Sequence, residues 1–402
     1  MTEPVAGVRP PDPKRQGLYV HIPFCDKVCP YCDFAVSANR RHDHTAYVRS
    51  VLEQARAARL SVPVHTVYFG GGTPSMLQPE ALQLLGDGLR ERFDLGAVEE
   101  WTLEANPTDI SPEALDRWAR CGVGRVSLGC QSFDDGMLGR LGRNHSGARA
   151  LSAARAILED GRFALSIDLI YGGPGQDMAL WRQDLARLRE LDGLGHVSAY
   201  QLTIEPRTPF ARAHARGELQ VAEADLQVEL LDALIETLGS MGITQYEVSS
   251  FARPGAHALH NSSYWLGHAY LGLGVGAHGL EFEGGQVVRT ANTRAIKAYM
   301  DDPVGAREQE RLSAHEHLWE RLFVNVRTRL GLDFDGLRAQ FEGAVDPSVW
   351  EALSQGFQEL ERGGLLQVDD ASGRWLPTKR GMLLGDLIGM RLESWLVDCQ
   401  GS

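Results

Sequence analysis

The sequence has no apolar run of about eighteen residues, the least that crosses a bilayer as a helix, so no transmembrane helix is expected. Its first stretch, MTEPVAGVRPPDPKRQG, lacks the apolar segment of a secretory signal. Rich in Pro and polar residues, residues 1–16 are expected to be a disordered lead-in. Positive charge is short: 40 Lys and Arg against 53 Asp and Glu leave a net charge of −13, which argues against tight nucleic-acid binding. Internal repeats are absent, and low complexity is confined to the lead-in. What remains is ordinary globular material, 43% hydrophobic and 23% charged. Its 402 residues suffice for a large α/β domain and a smaller one.

The chain is organised around LYVHIPFCDKVCPYCDF, residues 18–34. Cys25, Cys29 and Cys32 follow a short apolar run, Leu18–Ile22, that reads as a strand. Thiolates are soft ligands for zinc or iron–sulfur clusters. Three of them on one short loop can hold three irons of a 4Fe-4S cluster and leave the fourth iron open. Pro23 and Pro30 stiffen the loop. The alternatives are a redox disulfide pair, or a zinc site with His21 or Asp33 as fourth ligand. Zinc sites usually pair two knuckles, and there is no second one here. Cys121, Cys130 and Cys399 are scattered singly and read as small apolar residues. A thiolate-held cluster points to a reducing, cytoplasmic compartment.

Beyond the loop, apolar strands alternate with amphipathic helices. Strands are expected at 67–69, 100–104, 125–129, 163–170 and 196–202, and helices at 45–60, 79–93, 112–120, 146–159 and 179–191. This alternation gives a parallel sheet, either a closed or partly closed (β/α) barrel or a doubly wound open sheet. Three glycines, Gly70–Gly72, end the strand in VYFGGGTP and offer bare backbone amides. Polar residues fall at strand ends, where barrel active sites lie: Glu104 in TLEANP and Gln131 in SLGCQSF. Asp168 interrupts the apolar run SIDLIYG and needs a partner there, and Arg143 in LGRNHS is a candidate.

The cysteine loop resembles the signature of the radical S-adenosylmethionine (SAM) superfamily, whose members cleave SAM to a 5′-deoxyadenosyl radical. LYVHIPFC, GGGTP, LEANP, SLGCQSF, LGRNH and DLIYGGPGQ stand in the order found in oxygen-independent coproporphyrinogen III oxidases and their relatives. The resemblance covers about residues 17–385. It implies a partial (β/α)6 TIM-type barrel and a 4Fe-4S cluster on Cys25, Cys29 and Cys32. It also implies SAM contacts from Tyr19, Gly71, Gly72, Thr73, Glu104, Gln131, Arg143 and Asp168, with Tyr31 beside that pocket. Two departures stand out. Phe34 occupies the position of a fourth cysteine in the oxidases, and only 24 residues precede Cys25, little room for a structured arm over a substrate. Residues 260–265, HNSSYW, match the H-N-x-x-Y-W pattern of the family's haem-chaperone subgroup.

That resemblance implies a haem chaperone without a catalytic residue of its own. It would bind haem through His260, with His257 as a competing ligand, and pass it to respiratory haemoproteins at the membrane surface. A haem-linked homodimer is also implied. The alternative is the oxidase itself, decarboxylating propionate side chains. Residues 17–250 are expected to form the barrel and 251–304 a connecting segment in which 269–279 closes the site near a non-catalytic His278. Residues 305–402 read as a mostly helical, winged-helix-like domain with a hairpin at 365–376 and one final helix, 379–395.

Overall fold

A computed structural model describes residues 15–60, 62–283 and 286–398. The expected lead-in, apart from its last two residues, and Cys399 lie outside them. Six strands run parallel and adjacent in chain order: β1 (Gln16–Ile22), β2 (Val64–Gly71), β3 (Glu100–Ala105), β4 (Arg125–Gln131), β5 (Ala164–Tyr171) and β6 (His196–Gln201). Helices α1 (His44–Ala57), α2 (Pro79–Arg92), α3 (Pro112–Cys121), α4 (Asp135–Arg140), α5 (Gly147–Asp160) and α6 (Met178–Leu188) cross between them. This is the (β/α)6 arrangement, and it does not close on itself. β6 pairs antiparallel with β8 (Ser250–Ala252), whose other neighbour is β7 (Thr244–Gln245), while β1 pairs parallel with β9 (Ala269–Leu273).

Local signals set the ends of these elements. Ser111 caps α3 by accepting from Ala114 N, Pro112 opens it, and Gly122 closes it in the left-handed region at φ 95°. Strand alternation sorts the side chains. In β3, Trp101, Leu103 and Ala105 join the apolar core under the helices, whereas Glu100, Thr102 and Glu104 face the lumen.

The segment 251–304 does more than connect. After α7 (Pro209–Ala215), α8 (Ala224–Ser240) and α9 (Leu259–Leu266), it supplies β9, β10 (His278–Glu283) and β11 (Gln286–Asn292), then α10 (Ile296–Asp301). β12 (Arg307–Leu312), beyond the expected boundary at 304, still belongs to this twelve-stranded sheet. The helical region follows: α11 (Ala314–Asn325), α12 (Phe334–Gln340), α13 (Pro347–Arg362), the hairpin β13 (Leu366–Val368) and β14 (Trp375–Pro377), α14 (Lys379–Leu383) and α15 (Gly385–Asp398). The single final helix expected over 379–395 is therefore two. Leu384 leaves helical geometry (φ −107°, ψ 28°), and Gly385 starts α15 against the Arg327 side chain, where a Cβ would meet Arg327 Cγ at 3.3 Å.

Candidate functional site

A cavity of about 940 Å³ opens at the C-terminal ends of β1–β6. Cys25, Cys29, Cys32, Tyr19, Tyr31, Gly71, Gly72, Thr73, Glu104, Gln131, Arg143 and Asp168 all line it. His260 and its expected competitor His257 do not.

The cysteine loop is tied back on itself by Cys25 N to Ser37 O (3.0 Å) and Ser37 N to Pro23 O (2.8 Å). His21 on β1 braces it. Burial lowers this imidazole to about 4, so it is neutral. Its Nε2 faces the Ala35 carbonyl at 2.9 Å and must donate there, which leaves Nδ1 to accept from the Tyr19 hydroxyl at 3.0 Å. Asp33 is engaged with Arg294. The His21 nitrogens are therefore both engaged, and Asp33 is paired through one oxygen at 3.5 Å. Among the described residues no three His, Cys, Asp or Glu side chains close around a single ion. The three thiols instead face one space from separate points of the loop, a donor set suited to several irons. Burial holds the Cys25 thiol up at about 11, so it stays protonated until a metal displaces the proton.

Glycine is required where β2 meets this loop. A Cβ on Gly72 would lie 2.8 Å from Phe24 O and 2.9 Å from Cys25 Sγ. Gly71 sits at φ 117°, and a Cβ there would strike the His21 ring. Gly70 and Gly71 both lie within β2, so the strand runs further into the glycines than its apolar residues indicate. The Gly71 amide donates to Glu104 Oε2 (2.9 Å), and Tyr68 Oη donates to Oε1 (2.7 Å). Burial raises the Glu104 carboxyl above its usual range.

Asp168 is satisfied by hydroxyls rather than by Arg143. It accepts from Ser127 Oγ at 2.8 and 3.0 Å and from Ser166 Oγ at 3.3 Å, and burial pushes it up to about 7. Arg143 donates to Asn106 Oδ1, to Gly129 O (3.0 Å) and to Cys29 Sγ (3.5 Å), with its Nε buried and without a partner among the described residues. A fixed cation beside the thiols favours their ionised form. Gln131 ends β4 at φ 66°, strained for a residue with a side chain, where the β4–β5 register slips.

His260 lies beneath the cavity wall, fully buried, and burial lowers it to about 3. Both ring nitrogens are engaged: Nδ1 with Thr66 Oγ1 at 2.8 Å and Nε2 with Tyr264 Oη at 2.7 Å. His257 is buried against Tyr246, and His278 stands at the exposed rim. Sequence reasoning missed Tyr68, Ser127, Tyr200 and Tyr270 on the walls. The available signal was period two: Tyr68 lies two residues before Gly70, and Ser127 pairs in register with Glu104.

Comparison with known proteins agrees with this geometry. Residues 19–188 match the model of the radical SAM superfamily, and residues 312–384 match that of the HemN C-terminal domain. The chain is 33% identical to the Heme chaperone HemW of Lactococcus lactis over 96% of its own length and 98% of the relative's. It is 35% identical to the Heme chaperone HemW of Escherichia coli, over 85% and 90% respectively. The solved structure of coproporphyrinogen III oxidase (HemN) from Escherichia coli shares the fold at 24% identity with a TM-score of 0.79, covering 97% of this chain and 92% of that one.

Proposed function

The chain belongs to the HemW family of the radical SAM superfamily, and on that premise we propose that it is a haem chaperone. Cys25, Cys29 and Cys32 would hold a 4Fe-4S cluster, and the residues of the same cavity would hold SAM. When bound and reduced, the cluster supplies the electron that radical SAM chemistry uses. The chain's own residues do the rest. Glu104 and the side-chain-free turn at Gly71–Gly72 with Thr73 would receive the amino acid end of SAM, and Asp168 and Gln131 would take its polar groups. Arg143 steadies the anionic thiolates, and Tyr19 and Tyr31 close the walls on either side.

One observation carries the haem reading. The wall that holds the thiols, Glu104 and Asp168 continues without a break into Tyr200, Tyr264 and Tyr270, flat surfaces suited to a macrocycle. The volume of about 940 Å³ stands near the top of the ~300–1,000 Å³ range of small-molecule pockets. Phe34, 68% exposed at the rim, adds another aromatic face where the oxidases carry a cysteine. Haem-accepting respiratory proteins and a haem-linked second copy are the partners this reading implies. Among the described residues no helix is long and apolar enough to cross a membrane, so delivery to a membrane protein would be from its surface.

The test is an anaerobic haem titration of cluster-reconstituted protein, followed by Soret absorbance, with coproporphyrinogen consumption measured in parallel. Saturation at one haem per chain without coproporphyrinogen turnover is expected. Turnover with no saturable haem binding would replace the chaperone with the decarboxylase.

A further inference from the structure

The histidine and the tyrosine of HNSSYW stand one helical turn apart on α9, and the fold treats them differently. The start of the helix is pinned. Leu259 N and His260 N donate to the two carboxylate oxygens of Glu100 at 3.0 and 2.9 Å, and Glu100 is itself paired with Arg125 at 2.7 Å. His260 is thus fixed below the wall, with Tyr68 stacked on it at 5.0 Å. Gly17 makes room for it, since a Cβ there would lie 3.1 Å from His260 Cε1. With both nitrogens bonded and the ring enclosed, His260 has no lone pair to offer a ligand in the cavity.

Tyr264 is the member of the pair that reaches the cavity, its ring held edge-on by Tyr270 at 4.7 Å. A neutral imidazole has one donor and one acceptor nitrogen. If Thr66 Oγ1 donates to Nδ1, then Nε2–H donates to the Tyr264 oxygen, which fixes that oxygen and leaves its own proton uncommitted. Burial, with Tyr270 and Glu104 nearby, holds the free phenol well above its usual range, so a metal must displace the proton. Tyrosinate is an established class of ligand for haem iron.

We propose that Tyr264 is the residue that ligates haem iron in this cavity, with His260 and Thr66 as positioning residues that hold its oxygen. This rests on the haem reading above. The step is a ligand exchange without redox change. The phenol of Tyr264 gives its proton to the hydroxide on ferric haem, the iron–hydroxide bond breaks, the iron–phenolate bond forms, and water leaves.

The experiment uses the full cluster-loaded chain with one equivalent of ferric haem, prepared with ordinary and with ring-deuterated tyrosine, and reads resonance Raman spectra. Phenolate modes that shift on labelling are expected in the unmutated protein, so the result does not depend on a variant folding. Tyr264→Phe should lose those modes and bind haem about tenfold more weakly, with iron and sulfide content unchanged. His260→Gln should keep the modes at shifted frequency. Saturable haem binding without label-sensitive phenolate modes, or a Tyr264→Phe spectrum identical to the parent's, overturns the ligand assignment and leaves the haem reading standing. Absence of saturable haem binding in the parent overturns both.

Discussion

The core of the helical domain is built from Leu318, Leu322, Leu353, Phe357, Leu360 and Leu392, side chains with nothing to satisfy. The lumen of β1–β6 buries Thr66, Thr102, Ser127, Ser166 and Ser198 instead, with Glu104 and Asp168 above them and Arg125 and His196 at the floor. The first arrangement gains free energy from every contact. The second costs desolvation for each polar group and recovers it only through hydrogen bonds such as Ser127–Asp168 and Tyr68–Glu104. A fold bears that cost where a ligand needs the groups, and here the surrounding apolar layer, from Leu18 and Val20 to Phe251, offsets it.

The largest contrast lies between cysteines. Cys25→Ala should reduce iron and acid-labile sulfide after reconstitution to background. Cys121→Ala, which removes a buried thiol on α3, should leave both at the parent's level. Next, Leu353→Ala in the helical core should cost about 2–5 kcal/mol in denaturant unfolding, with haem titration unchanged in the folded protein. A loss of haem binding in that variant would show that the two regions do not act separately.

Asp168→Asn should do the reverse. Burial holds this carboxyl at about 7 against 3.8 in the unfolded chain, so the folded form keeps a proton that the unfolded form releases. Stability of the cofactor-free protein is then greatest below about pH 4 for this group, falls as pH rises to about 7, and is lowest above it. The drop is on the order of a few kcal/mol. Glu247, held up at about 7 by burial, contributes with the same sign in both proteins. Asp168→Asn should therefore flatten, but not abolish, the fall between pH 4 and 7 in denaturant midpoints, while SAM binding weakens. An unchanged slope would place the titration elsewhere. The smallest effect is expected from Thr66→Val, which removes one hydrogen bond to His260. It should cost ~1 kcal/mol, read as about a fivefold rise in haem Kd.

Much of this was legible in the chain. The cysteine loop, GGGTP and the strand-end residues stand out by residue type and position and line one cavity, and the six parallel strands fall within a few residues of where periodicity puts them. What was not legible depends on partners distant in sequence. β10 to β12 join the sheet through antiparallel pairing that their short, mixed patterns do not announce. Nothing in HNSSYW shows that Glu100, some 160 residues earlier, anchors the helix and turns the histidine away from the cavity. Asp168 signalled its need for partners, but Ser127, its shortest hydrogen bond, comes from the neighbouring strand β4 and emerges only with the register, while Ser166 lies two residues away on β5 itself.

β1 is hydrogen-bonded on both edges, to β2 along its whole length and to β9 from Gln16 to Val20. The loop that carries the three cysteines is joined to it by backbone bonds at its base and by the His21 ring to Ala35 O, with outside ties from Phe210 N to Pro30 O and from Arg143 to Cys29 Sγ, but few of its own amides donate to backbone. In amide hydrogen exchange, Leu18–Ile22 should be among the last protons to leave, and the loop from residue 26 to 36 among the first. If the loop holds the proposed cluster, that cluster could be assembled, lost to oxygen and rebuilt while the strand beneath stays folded, so damage at the loop need not become damage to the protein.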